Sequence, residues 1–272
     1  MGAADDYRQM VERANGQRAA LERIDGDRWS RHAPGYRFDP LRSPGPNFEA
    51  LAAYVRPEDD VIEVGGGAGR IALPLARRCR FVTNVEPSDG MRAEFDSLAT
   101  AAGITNVAQV GDDWLAAPVL NAGVALTVDV TYFVPDIEPF VRKLVASARR
   151  RVIISIWDTP PPNWNARLFA LAHGRPPALV PGEQELLPVL TELGIRPVIV
   201  RLPEVFSWPE AQPLSRVDAI DFALGVVHAS TVDGARERIS SHFDELFAES
   251  GGVFRPLWRP SSPGLLLTWE TT

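Results

Sequence analysis

The sequence predicts an α/β fold in which a parallel sheet is covered by helices on both faces. Two observations support this prediction. Between about residues 59 and 158, short and nearly continuous apolar runs alternate with segments of helical period, which is typical of strands buried on both faces. The first of these apolar runs ends in a glycine-rich turn that leads into a helical segment, as expected for a strand–helix unit of such a sheet.

Five strands are expected in this part of the chain. They are Val61–Val64, Phe81–Val85, Val107–Val110, Val124–Val130 and Val152–Trp157. The clearest helix precedes the last of them, because apolar residues recur at i, i+3, i+4, i+7 and i+8 from Ile137 to Ala148. Asp136 stands directly before this helix and is the expected N-cap.

Later segments supply two more strands and several helices. Apolar runs at Pro197–Leu202 and Leu265–Glu270 are expected to pair with each other late in the chain. Helical patterns occupy Ala166–His173 and Glu183–Leu193. The segment between the two late strands is expected to be mainly helical.

No flexible linker divides the chain into independent domains. Residues 1–48 begin with a helical stretch, Tyr7–Ile24, and continue with an aromatic, proline-rich passage that we interpret as a lid. Residues 49–272 are expected to form one domain with helical insertions at about 159–194 and 206–259.

The composition excludes several classes of protein. Hydrophobic residues make up 45% of the 272 residues, yet no apolar run approaches the roughly 20 residues of a membrane helix. The polar first residues lack the apolar stretch of a secretory signal, so we expect a cytoplasmic protein without a membrane partner. A net charge of −7 argues against a nucleic-acid partner. A single cysteine, Cys79, excludes a disulfide framework and a cysteine-rich zinc site, and no metal is expected.

The most informative segment is VIEVGGGAGRIALPLA, at residues 61–76. Its glycines stand at positions 65, 66, 67 and 69, between the first strand and a helix expected to begin near Arg70. Glycine has no Cβ, so the backbone of this turn can approach a ligand closely, and free N–H groups at the helix start can bind it. The sequence therefore predicts a ligand site at the exit of the first strand.

Acidic residues follow the second and third strands. Glu86 lies 21 residues after Gly65, where a carboxylate is positioned to accept hydrogen bonds from a ribose diol. GDDWL then brings together Asp112, Asp113 and Trp114, a combination that suits an adenine, with a carboxylate near its amine and a ring for stacking. Together with the glycine turn, these residues predict a nucleoside cofactor.

Two types of nucleoside cofactor compete for this turn. A nicotinamide-dependent dehydrogenase would carry G-x-G-x-x-G or G-x-G-x-x-A, but Arg70 occupies the last position when the count starts at Gly65. The frame formed by Gly67, Gly69 and Ala72 fits that pattern, although it begins two residues too far beyond the strand. The dehydrogenase is therefore the weaker alternative.

With an acid two residues before the turn, Glu63–Gly69 resembles the first motif of the class I S-adenosylmethionine-dependent methyltransferases of the small-molecule type. EPSDGM at 86–91 and GDDWL at 111–115 are similar to the second and third motifs of this family. VDVTYFVPD at 128–136 is similar to the stretch after its fourth strand. The resemblance implies a Rossmann-like, doubly wound sheet of seven mostly parallel strands, with the last strand antiparallel.

The resemblance also implies S-adenosylmethionine as the cofactor and assigns roles to residues. The glycines would lie against its methionine part, Glu86 would hold the ribose hydroxyls, and Met91 would pack near the adenine. Asp112 or Asp113 would meet the adenine amine, with Trp114 alongside. The implied cofactor-binding residues are Glu63, Gly65, Gly66, Gly67, Gly69, Glu86, Pro87, Met91, Asp112, Asp113, Trp114 and Val128.

A methyl group on a sulfonium is already activated, so the protein must mainly align an attacking atom with it. Asp129 and Tyr132 are the best-placed catalytic candidates, because the strand ends on this face surround the cofactor. The attacking O, N or C atom of the small-molecule acceptor is left open, as is the oligomeric state, a homodimer being one option. A non-catalytic partner or sensor that binds the same cofactor is the main alternative function.

Further residues are expected around the site. Arg37 or Arg42 of the lid would reach the carboxylate of the cofactor. Trp157, Trp164 and Trp208 are candidates for lining the acceptor pocket, with core packing as an equally good explanation of these aromatic residues.

Overall fold

The computed structural model describes residues 2–22, 26–205, 215–251, 253–258 and 262–271. Nine strands lie within these ranges: β1 Asp60–Val64, β2 Phe81–Val85, β3 Val107–Val110, β4 Ala122–Val128, β5 Ala148–Trp157, β6 Val198–Val205, β7 Phe247–Ser250, β8 Val253–Pro256 and β9 Pro263–Glu270.

Seven of these strands form one sheet in the order β3-β2-β1-β4-β5-β9-β6. The neighbours from β3 to β5 are parallel, whereas β9 runs antiparallel to both β5 and β6. The order reverses between β1 and β4, so a crevice is expected beyond the carboxyl ends of these two strands. The sheet confirms the predicted fold class, and the pairing of β6 with β9 confirms the expected late strand pair.

Helices cover both faces of the sheet. Their bounds are α1 Ala3–Glu22, α2 Arg28–His32, α3 Pro46–Ala52, α4 Ala72–Ala76, α5 Asp89–Ala101, α6 Ile137–Ser147, α7 Ala166–His173, α8 Glu183–Glu192, α9 Arg216–Val226, α10 Ala235–Ser241 and α11 Phe243–Leu246. Short 3₁₀ turns lie at Ala33–Tyr36, Thr131–Phe133 and Pro161–Asn165.

The side chains of the strands divide into two cores by their alternation. On one face, Ile62, Ile154 and Leu267 pack with α1, α6 and α8. On the other face, Val61 and Ile153 pack with α3, α4 and α5. Because both faces are buried, the strands are nearly continuous apolar runs in the sequence, which is why they could be recognised.

A third, smaller core lies outside the sheet. It is formed by α7, α9, α10, α11 and the β7–β8 hairpin, and it includes Trp258. The predicted insertion at 206–259 is therefore helical only in part, and residues 206–214 lie outside the described residues. This hairpin is absent from the sequence prediction, although a glycine stands directly after β7, at Gly251, with φ +63°.

Two strand ends and one helix cap differ from the sequence prediction for the following reasons. β4 stops at Val128 rather than Val130, because Asp129 adopts a left-handed backbone with φ +61°. β5 begins at Ala148 rather than Val152, because the next three residues, 149–151, are arginines that the apolar pattern does not include. Asp136 does precede α6, but its carboxylate makes no capping bond and lies 2.7 Å from Arg8 of α1 instead.

None of the helices in the described part of the chain combines the length and the apolar character that crossing a bilayer requires.

Candidate functional site

The glycine turn follows β1 at the carboxyl edge of the sheet. Gly65, Gly67 and Gly69 all have positive φ, at +70°, +56° and +90°, and the helix begins at Ala72 rather than near Arg70. A Cβ on Gly65 would lie 2.5 Å from Val130, and one on Gly69 would lie 2.6 Å from Phe95. These two glycines are therefore required by packing as well as by backbone conformation.

Gly67 differs from the other glycines of the turn. A Cβ at this position would have the Met91 sulfur, at 3.7 Å, as its nearest neighbour. The N–H of Gly67 points away from the turn and donates to Glu86 Oε2 at 2.9 Å. The turn thus presents one bare stretch of backbone beside a carboxylate.

Glu86 is 6% exposed and ties the ends of β1 and β2 together. Its second oxygen, Oε1, accepts the N–H of Ser88 at 2.9 Å. Burial raises the pKa of Glu86, while the two backbone N–H groups lower it by favouring the charged form. The predicted ribose-binding acid therefore lies directly against the predicted glycine turn.

The second motif also carries Met91 and Pro87. The Met91 side chain is buried beneath Gly67. The carbonyl oxygens of Glu86 and Pro87 accept hydrogen bonds from Arg92 Nη1 at 2.8 and 2.9 Å. A Cβ on Gly111 would lie 2.8 Å from the Arg92 guanidinium, so Arg92 joins the ends of β2 and β3.

The third motif is divided between the surface and the core. Asp112 and Asp113 are exposed, and Asp113 Oδ1 accepts the N–H of Leu115 at 2.9 Å. Trp114 is 3% exposed, and its indole N–H donates to the carbonyl of Phe140 in α6 at 3.2 Å. The Trp114 ring therefore belongs to the core under α6 and does not flank the site, contrary to the sequence interpretation.

Val128, Asp129 and Tyr132 lie at the end of β4. Val128 packs against the core that contains α4 and α5. The Asp129 carboxylate lies 3.7 Å from Arg70 Nη2 and accepts a hydrogen bond from the Tyr132 hydroxyl at 3.4 Å. Burial raises the pKa of Asp129, and Arg70 together with hydrogen bonds from Trp157 and Tyr132 lowers it.

Tyr132 is almost fully buried, and its hydroxyl is engaged on both sides. It accepts the N–H of Trp157 at 2.6 Å while donating to Asp129. Burial raises the pKa of Tyr132 well above its usual value. The geometry therefore makes Tyr132 a support for Asp129 rather than a group that releases a proton.

The lid passage lies over the junction of β2 and α5. Asp27 accepts the N–H of Trp29 at 2.9 Å and the Ser88 hydroxyl at 2.7 Å, and Ser30 Oγ accepts the N–H of Gly90 at 2.9 Å. The Trp29 ring meets Phe133 edge to face, with ring centroids 6.1 Å apart. The passage thus connects the β2 exit with the segment after β4, on either side of the glycine turn.

The two arginines expected to reach the cofactor are bound elsewhere. Arg37 lies 3.5 Å from Glu94 and Arg42 lies 3.2 Å from Asp39. Arg70 is the arginine beside the glycine turn, and more than half of its side chain is exposed. In the sequence, Arg70 stands directly after the last glycine, where it interrupts the dehydrogenase pattern and marks the expected start of the helix.

The aromatic residues expected around the acceptor are only partly described. Trp157 and Trp164 meet edge to face at 5.7 Å, and Trp164 donates its indole N–H to Thr159. Trp208 lies outside the described residues. Among the described side chains, no group of three or more His, Cys, Asp or Glu residues is arranged to hold a metal ion.

No protein-family model and no curated protein sequence matches the chain. Solved structures do match it. A candidate methyltransferase from Bacillus halodurans C-125 has a TM-score of 0.55 at 11% identity, covering 82% of this chain and 96% of that one. The YcgJ protein of Bacillus subtilis has a TM-score of 0.53 at 14% identity, covering 83% and 97%. A third structure is an S-adenosylmethionine-dependent methyltransferase from Thiobacillus denitrificans in complex with S-adenosyl-L-homocysteine, with a TM-score of 0.52 at 15% identity and coverages of 90% and 98%. At these identities the similarity establishes the fold.

Proposed function

We propose that this protein is an enzyme that transfers a methyl group from S-adenosylmethionine to a small-molecule acceptor. The observation that carries the proposal is the bare backbone of Gly67 beside the Glu86 carboxylate, at the point where the strand order reverses. The Thiobacillus denitrificans protein, which has the same fold, was solved with the demethylated cofactor, and this supports the choice of nucleoside.

The described residues fit this cofactor in three ways. The Glu86 carboxylate would accept hydrogen bonds from the ribose hydroxyls, either in place of the Gly67 N–H or in addition to it. Asp112 is exposed after the end of β3, where its carboxylate would accept a hydrogen bond from the adenine amine. Arg70 is charged, exposed and adjacent to the turn, so it would bind the carboxylate of the methionine part.

The neighbours of the other predicted cofactor-binding residues indicate what each of them does. Gly65, Gly66 and Gly69 shape the turn, and Met91 supports Gly67 from below. Trp114 is left out, because its ring and its N–H are committed to the core.

The bound cofactor would supply an activated methyl group, and the protein would align the acceptor with it. Asp129 is the group we assign as general base for a hydroxyl acceptor, with Tyr132 holding its carboxylate in place. The lid segment at 1–48 would exclude water through the contact between Trp29 and Phe133.

The finer expectations about cellular context form part of the proposal. We propose that the protein acts in the cytoplasm on a free small molecule and not on a nucleic acid, since its net charge is −7.

The function is tested by calorimetric titration with S-adenosylmethionine and S-adenosyl-L-homocysteine, followed by a methyl-release assay over a panel of acceptors. We expect binding of both nucleosides and release with at least one acceptor. Binding without release over a broad panel would favour the non-catalytic partner or sensor. Binding of NADH instead, seen by fluorescence titration, would favour the dehydrogenase.

Glu86→Ala is expected to weaken S-adenosyl-L-homocysteine binding by about 1–3 kcal/mol, the usual cost of losing a charge-assisted hydrogen bond. The variant removes both the acceptor for the ribose hydroxyls and the acceptor that now holds the Gly67 N–H. Calorimetry measures the change, with Glu138→Ala as the control, because the Glu138 carboxylate is half-exposed and pairs with Arg142 within α6. Equal dissociation constants for the wild type and Glu86→Ala would contradict the assignment.

A further inference from the structure

A row of polar side chains crosses the interior of the sheet beneath the glycine turn. In the parallel register, Glu63 of β1 stands opposite Asn84 of β2, and Asn84 stands opposite Gln109 of β3. Glu63 is 2% exposed and Asn84 is fully buried. Buried polar groups of this kind need hydrogen-bond partners, so the direction of each bond in the row can be worked out.

The outer end of the row fixes the orientation of Gln109. Its Nε2 donates to Asp96 Oδ1 at 2.7 Å and to the carbonyl of Arg92 at 3.0 Å, and both of these are acceptors. Gln109 Oε1 is therefore the atom that faces Asn84, and it accepts from Asn84 Nδ2 at 3.3 Å. The amide of Gln109 has no alternative orientation that satisfies these partners.

The orientation of Asn84 follows from that of Gln109. Its Nδ2 also donates to the carbonyl of Gly67 at 3.3 Å, so both donor directions are used by acceptors. Asn84 Oδ1 must then face the opposite side, towards Glu63. Buried Asn84 Oδ1 and Glu63 Oε2 both lack a hydrogen-bond partner among the described residues.

These two oxygen atoms lie against the same face of the turn. A Cβ built on Gly66 would be 2.4 Å from Asn84 Oδ1 and 2.8 Å from Glu63 Oε2. An amide oxygen and a carboxylate oxygen are both acceptors, and neither can satisfy the other unless one carries a proton. Only the Glu63 carboxyl can take up that proton.

We propose that Glu63 is a positioning residue that is protonated in the folded protein and donates a hydrogen bond to Asn84 Oδ1. Every member of the row from Asp96 to Glu63 is then satisfied. Asn84 holds the carbonyl of Gly67 while Glu86 holds its N–H, so the residue with the bare backbone is fixed from both sides. Glu63 acts on the cofactor through this turn and not as an ionised group in contact with it, and this consequence rests on the proposed function.

The charged groups around Glu63 agree with this assignment. Burial raises the pKa of Glu63 to about 8, and Glu86 raises it as well, whereas the N–H of Ala72 and the charge of Arg70 lower it. Asp96 lies at the far end of the row, separated from Glu63 by two amides.

The sign of the pH dependence follows from linkage. The pKa is raised from an ordinary value of 4.5 to about 8 on folding, so the folded state binds the proton more tightly than the unfolded state. The contribution of Glu63 to stability is therefore fully present below about pH 4.5 and is lost as the pH rises towards about 8.

The test is the variant Glu63→Gln, whose amide N–H₂ can donate to Asn84 Oδ1 at any pH. We expect this variant to melt at a higher temperature than the wild type at about pH 8, with the difference shrinking as the pH falls towards about 5. Glu58→Gln, an exposed control before β1, should give no pH-dependent difference. The affinity of the folded variant for S-adenosyl-L-homocysteine at pH 7 should fall by less than about tenfold, because Glu63 acts through the turn and not by contact.

Two results would overturn the proposal. One is a melting-temperature difference between Glu63→Gln and the wild type that does not change with pH. The other is a loss of more than about tenfold in nucleoside affinity by a folded Glu63→Gln, as expected if an ionised Glu63 contacted the cofactor.

If the variant fails to fold, a measurement on the wild type tests whether Glu63 is protonated. In carbon-13 NMR of protein labelled at the glutamate carboxyl groups, one resonance should keep the shift of a protonated carboxyl at pH 7. A spectrum in which every glutamate is ionised at that pH would overturn the proposal. Because melting and NMR need no cofactor, they separate a failure of this inference from a failure of the proposed function.

Discussion

Replacing Gly67 by valine is expected to abolish binding of S-adenosyl-L-homocysteine in a calorimetric titration while the fold is retained. Among the described residues, the atom nearest to a Cβ at this position is the Met91 sulfur at 3.7 Å, so the core can accept the change. The branched side chain would instead project from the turn at the point where we propose that the cofactor contacts the protein backbone. Affinity should fall below the range that calorimetry measures.

The backbone conformation of Gly67 complicates this test and calls for a matched control. At φ +56° any side chain costs about 1–2 kcal/mol, which could lower stability without any effect on a site. Gly103→Val imposes the same change at φ +65°, in the turn after α5, where no described residue beyond its two chain neighbours lies within 4 Å of the new Cβ. Both variants should lose similar unfolding free energy. Retained affinity in Gly67→Val, or lost affinity in both, would contradict our placement of the cofactor.

The strands that the sequence predicted best are those buried on both faces. β2 and β3 begin and end where the apolar runs at Phe81–Val85 and Val107–Val110 predicted. β5 was truncated in the prediction because its first residues include Arg150 and Arg151. These arginines form ion pairs with residues distant in the sequence: Arg150 with Asp59, and Arg151 with Glu270. A pattern of hydrophobicity cannot anticipate such pairs, because the partners are distant in the sequence.

In the candidate site, the parts that could be predicted depend on the local chain. The glycine turn and Glu86 are fixed by short spacings after their own strands, and the structure brings them within one hydrogen bond of each other. Asn84 was not recognised, because a single polar residue inside an apolar strand gives no indication of its partner. Its role became visible only when the strand register placed it between Glu63 and Gln109.

Trp114 is a motif residue whose orientation the sequence did not predict. An aromatic residue directly after a strand can turn towards the ligand edge or back under the neighbouring helix, and the local sequence is the same in both cases. Here the ring packs against Phe140, and Lys143 lies 4.7 Å above it. The orientation of Trp114 therefore depends on its contacts with α6, which the local motif does not contain.

Asp129→Asn is expected to lower kcat for a hydroxyl acceptor by about 10²–10⁴-fold while leaving nucleoside affinity nearly unchanged. Asparagine tolerates the left-handed backbone of Asp129 about as well as aspartate, so the turn after β4 should be preserved. The change removes only the charge and the basicity of the carboxylate. Steady-state kinetics of methyl transfer, with the acceptor identified by the release assay, measures the effect, and Asp136→Asn provides a control at a surface ion pair.

Measuring kcat and cofactor affinity separately distinguishes two roles for Asp129, as general base or as a cofactor-binding residue. Its carboxylate is next to Arg70, and a carboxylate there could bind the ammonium of the methionine part just as Arg70 would bind the carboxylate. In that case Asp129→Asn would weaken S-adenosyl-L-homocysteine binding and leave kcat at saturation intact. As a base, Asp129 must be ionised, so in the wild type kcat should fall as the pH drops through its raised pKa, and this limb should be absent in Asp129→Asn. A loss of affinity with no loss of this acidic limb would therefore assign Asp129 to the cofactor and leave the acceptor to be activated by alignment alone.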